Sequence, residues 1–132
     1  MRHRLVILES PFAGLTPADV QRNILYARRC VRDSLFRGEA PLASHLLYTQ
    51  EGILDDNVPE QRVAGIAAGH AWYCDADAAV VYCDHGISPG MEHGIERAKT
   101  YGIPVEQRYI GAQGETGNSW MRRQPIGTVA AL

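Results

Sequence analysis

The chain has no excess of positive charge: thirteen Lys and Arg stand against fifteen Asp and Glu, for a formal net charge of −2. Bulk electrostatic attachment to nucleic acid is therefore excluded as a mode of action, and no nucleic-acid partner is expected. Cysteine is also scarce. Cys30, Cys74 and Cys83 are odd in number and lack C-x-x-C or zinc-finger spacing, which argues against a disulfide framework or a structural metal and for reduced thiols in the cytoplasm. No apolar run is long enough to span a bilayer, and Met1-Arg2-His3-Arg4 leads into a strand without a signal-peptide pattern, so no membrane partner is expected either. Internal repeats and low-complexity blocks are missing.

What is present is an alternation of buried strands and capped helices. Arg4 to Glu9 (RLVILE) is a short apolar strand closed by Ser10-Pro11. Thr16-Pro17-Ala18-Asp19 combines an N-cap, a proline at the first helical position and an acid at the positive end of the helix dipole. The helix that follows is expected to bury Val20, Ile24, Ala27, Val31 and Leu35 and to end near Phe36-Arg37-Gly38, with its arginines and Asp33 mainly elsewhere. Pro41 to Tyr48 (PLASHLLY) reads as a second strand. A helix from Pro59 through Ala71, rich in Ala and Gly, implies close approach to a neighbour. Ala78 to Cys83 is a third strand. A helix capped by Ser88, begun at Pro89, burying Met91, Ile95 and Ala98 and stopped at Gly102, precedes a fourth strand from Val105 to Tyr109.

The order βαβαβαβ predicts an α/β three-layer sandwich: a parallel, flavodoxin-like (Rossmann-like) sheet of four or five strands with right-handed crossovers and helices on both faces. Residues 1–110 form this domain. Residues 111–132, full of turn formers, read as a C-terminal arm or tail, and their Trp120-Met121 pair suggests contact with a second copy in a homo-oligomer.

Ligands of such sheets bind outside the strands' carboxyl ends. That edge gathers Ser10, Pro11 and Phe12 after the first strand, Tyr48, Asp55 and Asp56 after the second, and Asp84, Ser88 and Gly90 after the third. Carboxylates suit a ribose, a helix N-terminus with a hydroxyl suits a phosphate, and aromatic faces suit a base. The expected partner is a small nucleoside or nucleotide, with no cofactor and no metal. Each residue also has a plainer reading: Ser88-Pro89-Gly90 as a helix cap, Asp84 as an acceptor for loop amides, Asp55 and Asp56 as solvated acids, Phe12 and Tyr48 as covers for the core edge. Cys83, Asp84, His85 and His93 match no metal-ligand spacing. His45, placed in a strand, and His70 read as core or surface histidines.

Glu9-Ser10-Pro11-Phe12 resembles the opening of the nucleoside 2-deoxyribosyltransferases and the 2′-deoxynucleoside 5′-phosphate N-hydrolases. Asp77 through Tyr82, with Asp84, Ser88-x-Gly90, Ala98, Gly102 and Pro104, is similar to that superfamily's second half. Ala43 through Gln50, Leu54-Asp55-Asp56, Gly90-Met91 and Gly94-Ile95 are similar to an uncharacterised domain family of phages and bacteria. The superfamily resemblance implies cleavage or transfer of an N-glycosidic bond, with Glu92 as the attacking carboxylate and Asp84 holding the sugar or assisting proton transfer. The chain departs from the pattern at one place: counting back from Ala98 and Gly102, the glutamate position falls on Gly94. If Glu92 faces outward, the same edge becomes a non-catalytic nucleotide-binding module, a sensor or sequestering protein.

Overall fold

Residues 2–111 are described by a computed structural model. Four parallel strands, β1 (Arg4–Glu9), β2 (Glu39–Leu42), β3 (Ala78–Tyr82) and β4 (Val105–Arg108), form one sheet in the order β2-β1-β3-β4. The register sets Arg4 beside Glu39, Glu9 beside Val81 and Tyr82 beside Arg108. The expected parallel α/β sandwich is thus the observed one. Because β2 and β3 lie on opposite sides of β1, the chain reverses direction across the sheet between β1 and β3. That switch point is where open sheets leave a crevice at their carboxyl edge.

Helix α1 (Pro17–Phe36) starts at Thr16, whose side chain accepts from the Asp19 amide while Asp19 accepts from the Thr16 amide, a reciprocal cap. It covers one sheet face, where Val6, Leu8, Tyr26, Cys30, Ala78, Val80 and Tyr82 form a core. The buried stripe differs from the expected one. It runs through Tyr26, Ala27, Cys30, Asp33 and Ser34, whereas Leu35 is 48% exposed. The stripe is rotated because this face buries a polar network as well as apolar groups. Arg108 donates to both carboxylate oxygens of Glu39, at 2.7 and 2.6 Å, and to the Tyr82 hydroxyl. Ser34 donates to Glu39, and Tyr82 donates to Asp33 at 2.7 Å. Burial alone would raise the Glu39 pKa, but Arg108, Ser34 and Arg4 together hold it below the ordinary value.

The segment read as a single strand from Pro41 to Tyr48 divides. Only Glu39–Leu42 is strand, and Ser44–Tyr48 is a short helix, α2. Pro41 has no amide hydrogen to extend the ladder and stands on an edge strand, while Leu46, Leu47 and Tyr48 then turn onto a helical path. Helix α3 (Pro59–Ala71) follows as expected, continued by a 3-10 turn, Trp72–Asp75. Its glycines permit contact: a Cβ at Gly69 would stand 2.5 Å from Ser44 Oγ of α2. Helix α4 (Pro89–Thr100), capped by Ser88 through the Met91 amide, lies on the same face as the 3-10 turn and buries Met91, Gly94 and Ala98. Among the described residues no helix is long and apolar enough to cross a membrane.

The Arg108–Glu39 pair ties β4 to β2, the two outer strands. Arg108→Met leaves Glu39 without its principal cation and is expected to lower stability by about 3 kcal/mol. Pairing it with Glu39→Leu should restore much of the loss in urea unfolding; a neutral single variant would contradict this role.

Candidate functional site

The carboxyl edge contains two distinct features. One is a cavity of about 790 Å³ between the β1–α1 connection and the α2–α3 connection. Phe12, Ala13 and Gly14 line one side with Val20 and Ile24 of α1, and Thr49 and the loop 51–57 with Gln61 and Arg62 line the other. The acidic loop is held in shape locally. Asp55 Oδ1 accepts from the Asn57 amide at 2.9 Å, the Asp55 amide donates to Gln61, and Asp56 pairs with Arg62 at 2.6 Å. Asn23 donates to the Phe12 carbonyl, fixing the opposite wall. The Phe12 ring stacks on His45, with centroids 5.4 Å apart. Burial, opposed by Asp56, lowers the His45 pKa, so this imidazole is neutral in a neutral solution.

The second feature is the end of β1. Glu9 is 5% exposed, and its Oε1 accepts from the Tyr73 hydroxyl at 2.6 Å. Among the described residues no cation forms an ion pair with it. The space it occupies belongs to residue 94: a Cβ on Gly94 would lie 2.5 Å from the Glu9 carboxyl carbon and 2.7 Å from the Tyr73 oxygen. The carboxyl of the strand thus fills the place of the side chain missing from α4. Burial pushes the Glu9 pKa up to about 7, against the lowering effect of the Tyr73 hydrogen bond. Tyr73 in turn meets His70 edge-on, with ring centroids 5.6 Å apart. Burial together with Arg97, His45 and His93 lowers the His70 pKa.

Of the residues expected at the site, Phe12, Asp55 and Asp56 line the cavity, whereas Ser10, Pro11, Tyr48, Asp84, Ser88 and Gly90 do not. Ser10 and Pro11 are buried. The Tyr48 hydroxyl accepts from the indole of Trp72, the residue that ends α3, at 3.0 Å. Asp84 accepts from the Tyr26 hydroxyl at 2.5 Å and from the amides of Ile110 and Gly111, so its oxygens tie the exit of β4 to α1. Ser88 caps α4, and Gly90 is exposed. Glu92 is exposed in the first turn of α4, turned away from the buried stripe that contains Gly94. Among the described residues no three His, Cys, Asp or Glu side chains gather as a metal site.

Residues 4–108, from the first residue of β1 to the last of β4, match a family described as a domain of unknown function, DUF7768. The chain belongs to the DUF7768 family. No curated protein matches it. The DUF7768 segment contains both the cavity and Glu9.

Glu9 was not among the residues expected at the site. Two signals pointed to it: it shares a strand face with Ile7, two residues back, and Gly94 interrupts the otherwise apolar stripe Met91, Ile95, Ala98.

Two predictions follow from this contact. The folded protein holds a proton on Glu9 that the unfolded chain releases near pH 4.5. Stability from this group is therefore fully present below that value and is lost as pH rises to about 7. Glu9→Gln should flatten that fall, worth about 3 kcal/mol over the window, in denaturant titrations at several pH values; an unchanged slope would refute the assignment. Gly94→Ala should cost about 1–3 kcal/mol by overpacking, and Glu9→Ala in the same chain should relieve it. Simple additivity in a double-mutant cycle would show that the two sites do not meet.

Proposed function

We propose that the domain binds a nucleoside or nucleotide at the carboxyl edge of its sheet, in the cavity between Phe12 and the Asp55-Asp56 loop. The observation that carries the reading is the composition of that cavity: at about 790 Å³ it has the size of a small-molecule site. It offers an aromatic ring on one wall and carboxylates with an arginine on the other. A base lies against the Phe12 face, and a sugar's hydroxyls donate to Asp55 and Asp56. The resemblance to nucleoside-processing proteins around Glu9-Ser10-Pro11-Phe12 supports the same ligand class.

The expected catalytic pair is not assembled, since Glu92 stands in solvent and Asp84 is occupied by Tyr26 and the β4 exit. Binding is therefore the function the geometry supports best. Cleavage or transfer of the N-glycosidic bond is the second reading, and one observation favours it: the Glu9 carboxyl fills the volume that a glutamate at position 94 would enter. The expected homo-oligomer rests on Trp120-Met121, which lies outside the described residues.

Thermal-shift titration with 2′-deoxynucleosides, ribonucleosides and their monophosphates tests the binding reading. A saturable rise in melting temperature with at least one of them, much reduced in Phe12→Ala and in Asp55→Ala, is expected. No shift with any of these ligands would refute it.

A further inference from the structure

We propose that the cavity between Phe12 and the loop 51–57 is a charge filter: it admits a nucleoside without a phosphate and rejects the 5′-phosphorylated form, with Glu51 and Asp55 as the residues that decide. This rests on the nucleoside-binding reading and adds to it the charge of the ligand. The ionisable groups lining the cavity are three carboxylates, Glu51, Asp55 and Asp56, and one guanidinium, Arg62. That cation is already engaged, because its Nη1 donates to Asp56 Oδ2 at 2.6 Å. Glu51 and Asp55 are exposed, and among the described residues no cation forms an ion pair with either.

A phosphate needs donors, which an α/β sheet supplies through helix N-termini and free cations. Helix α1 begins beside Gly14, a lining residue, but its positive end already has an anion: the Asp19 carboxylate accepts from the Thr16 amide while the Thr16 hydroxyl accepts from the Asp19 amide. Pro17, at the first helical position, has no amide hydrogen to offer. Helix α3 also opens at the cavity, through Gln61 and Arg62, yet Asp55 and Asp56 precede it and Glu60 stands in its first turn, so its positive end is offset by acids. The first turn of α4, where Ser88 sits, does not line the cavity.

The acids suit hydroxyls for the same reason that they repel phosphate. A carboxylate only accepts hydrogen bonds. The Asn57 amide takes one of them, at Asp55 Oδ1, and among the described residues Oδ2 has no donor. A sugar hydroxyl or an exocyclic amino group supplies a donor to that oxygen, whereas a phosphate monoester brings further acceptors and about two negative charges at neutral pH. Like charges brought together in this way exclude the wrong ligand more than they tighten the right one.

Calorimetry on the full chain compares 2′-deoxynucleosides and ribonucleosides with their own 5′-monophosphates. A nucleoside is expected to bind, and its monophosphate to bind about 10-fold or more weaker at low salt. The gap should narrow in about 1 M salt, where the screening length is about 3 Å. Glu51→Gln should also narrow it, by about 3-fold, since the bonds that shape the loop involve Asp55, Asp56 and Gln61 instead. The ratio is read within one protein, so a loss of folded fraction does not imitate the effect. A monophosphate that binds as tightly as its nucleoside, or more tightly, overturns the filter and leaves the binding reading standing; a fall of that affinity in Arg62→Gln would mark the arginine as the phosphate seat. A gap unmoved by both salt and Glu51→Gln overturns charge as its cause. Absence of binding by either form overturns the filter and the binding reading together.

Discussion

The Glu9 carboxyl enters the sandwich because α4 presents no side chain at residue 94. With any other residue there, the helix would have to lift from β1 or the acid would have to leave. The bare glycine lets α4 and the Tyr73 hydroxyl close over the carboxyl, and the closure removes it from water. Burial then keeps the group protonated far above the range of a solvated glutamate. The position of the helix, the protonation of the acid and the identity of the only donor to it among the described residues are consequences of one missing Cβ.

The two sheet faces solve the problem of buried charge in opposite ways. Under α1, Arg108, Glu39, Tyr82, Asp33 and Ser34 satisfy one another, so the charges persist and bind the outer strands together. Under α4, Glu9 has a single neutral donor among the described residues, and burial pushes its pKa up instead. A paired network of the first kind adds definition to a fold. A lone acid of the second kind costs stability as pH rises toward neutrality, and perturbed groups of this sort concentrate at functional sites.

Much of this architecture was legible in the sequence. Thr16-Pro17 and Ser88-Pro89 announce their helices through local chemistry, and both caps form. The apolar runs at Leu5 and Ala78 become the central strands. The misreadings came where tertiary structure decides. Pro41 to Tyr48 contains enough apolar residues for a strand, but the edge position and α3 packing turn Ser44–Tyr48 into a helix. Helix α1 looked amphipathic by hydrophobicity alone, whereas its buried face includes Asp33 and Ser34 because their partners come from β2 and β3. Phe12, Asp55 and Asp56 come together around the cavity because loops after parallel strands meet at one edge. Glu9 escaped because its meaning depends on a glycine 85 positions away.

The central claim is that Glu9 keeps its proton in the folded protein well above the pH at which a solvated glutamate ionises, and its own titration tests this most directly. With ¹³C-labelled glutamate and Glu9→Gln as the assignment control, the Glu9 carboxyl carbon should titrate with a midpoint near pH 7, well above the range of the solvated glutamates. A midpoint near 4.5, the ordinary value, would mean that the carboxyl is hydrated or paired, and would contradict the account.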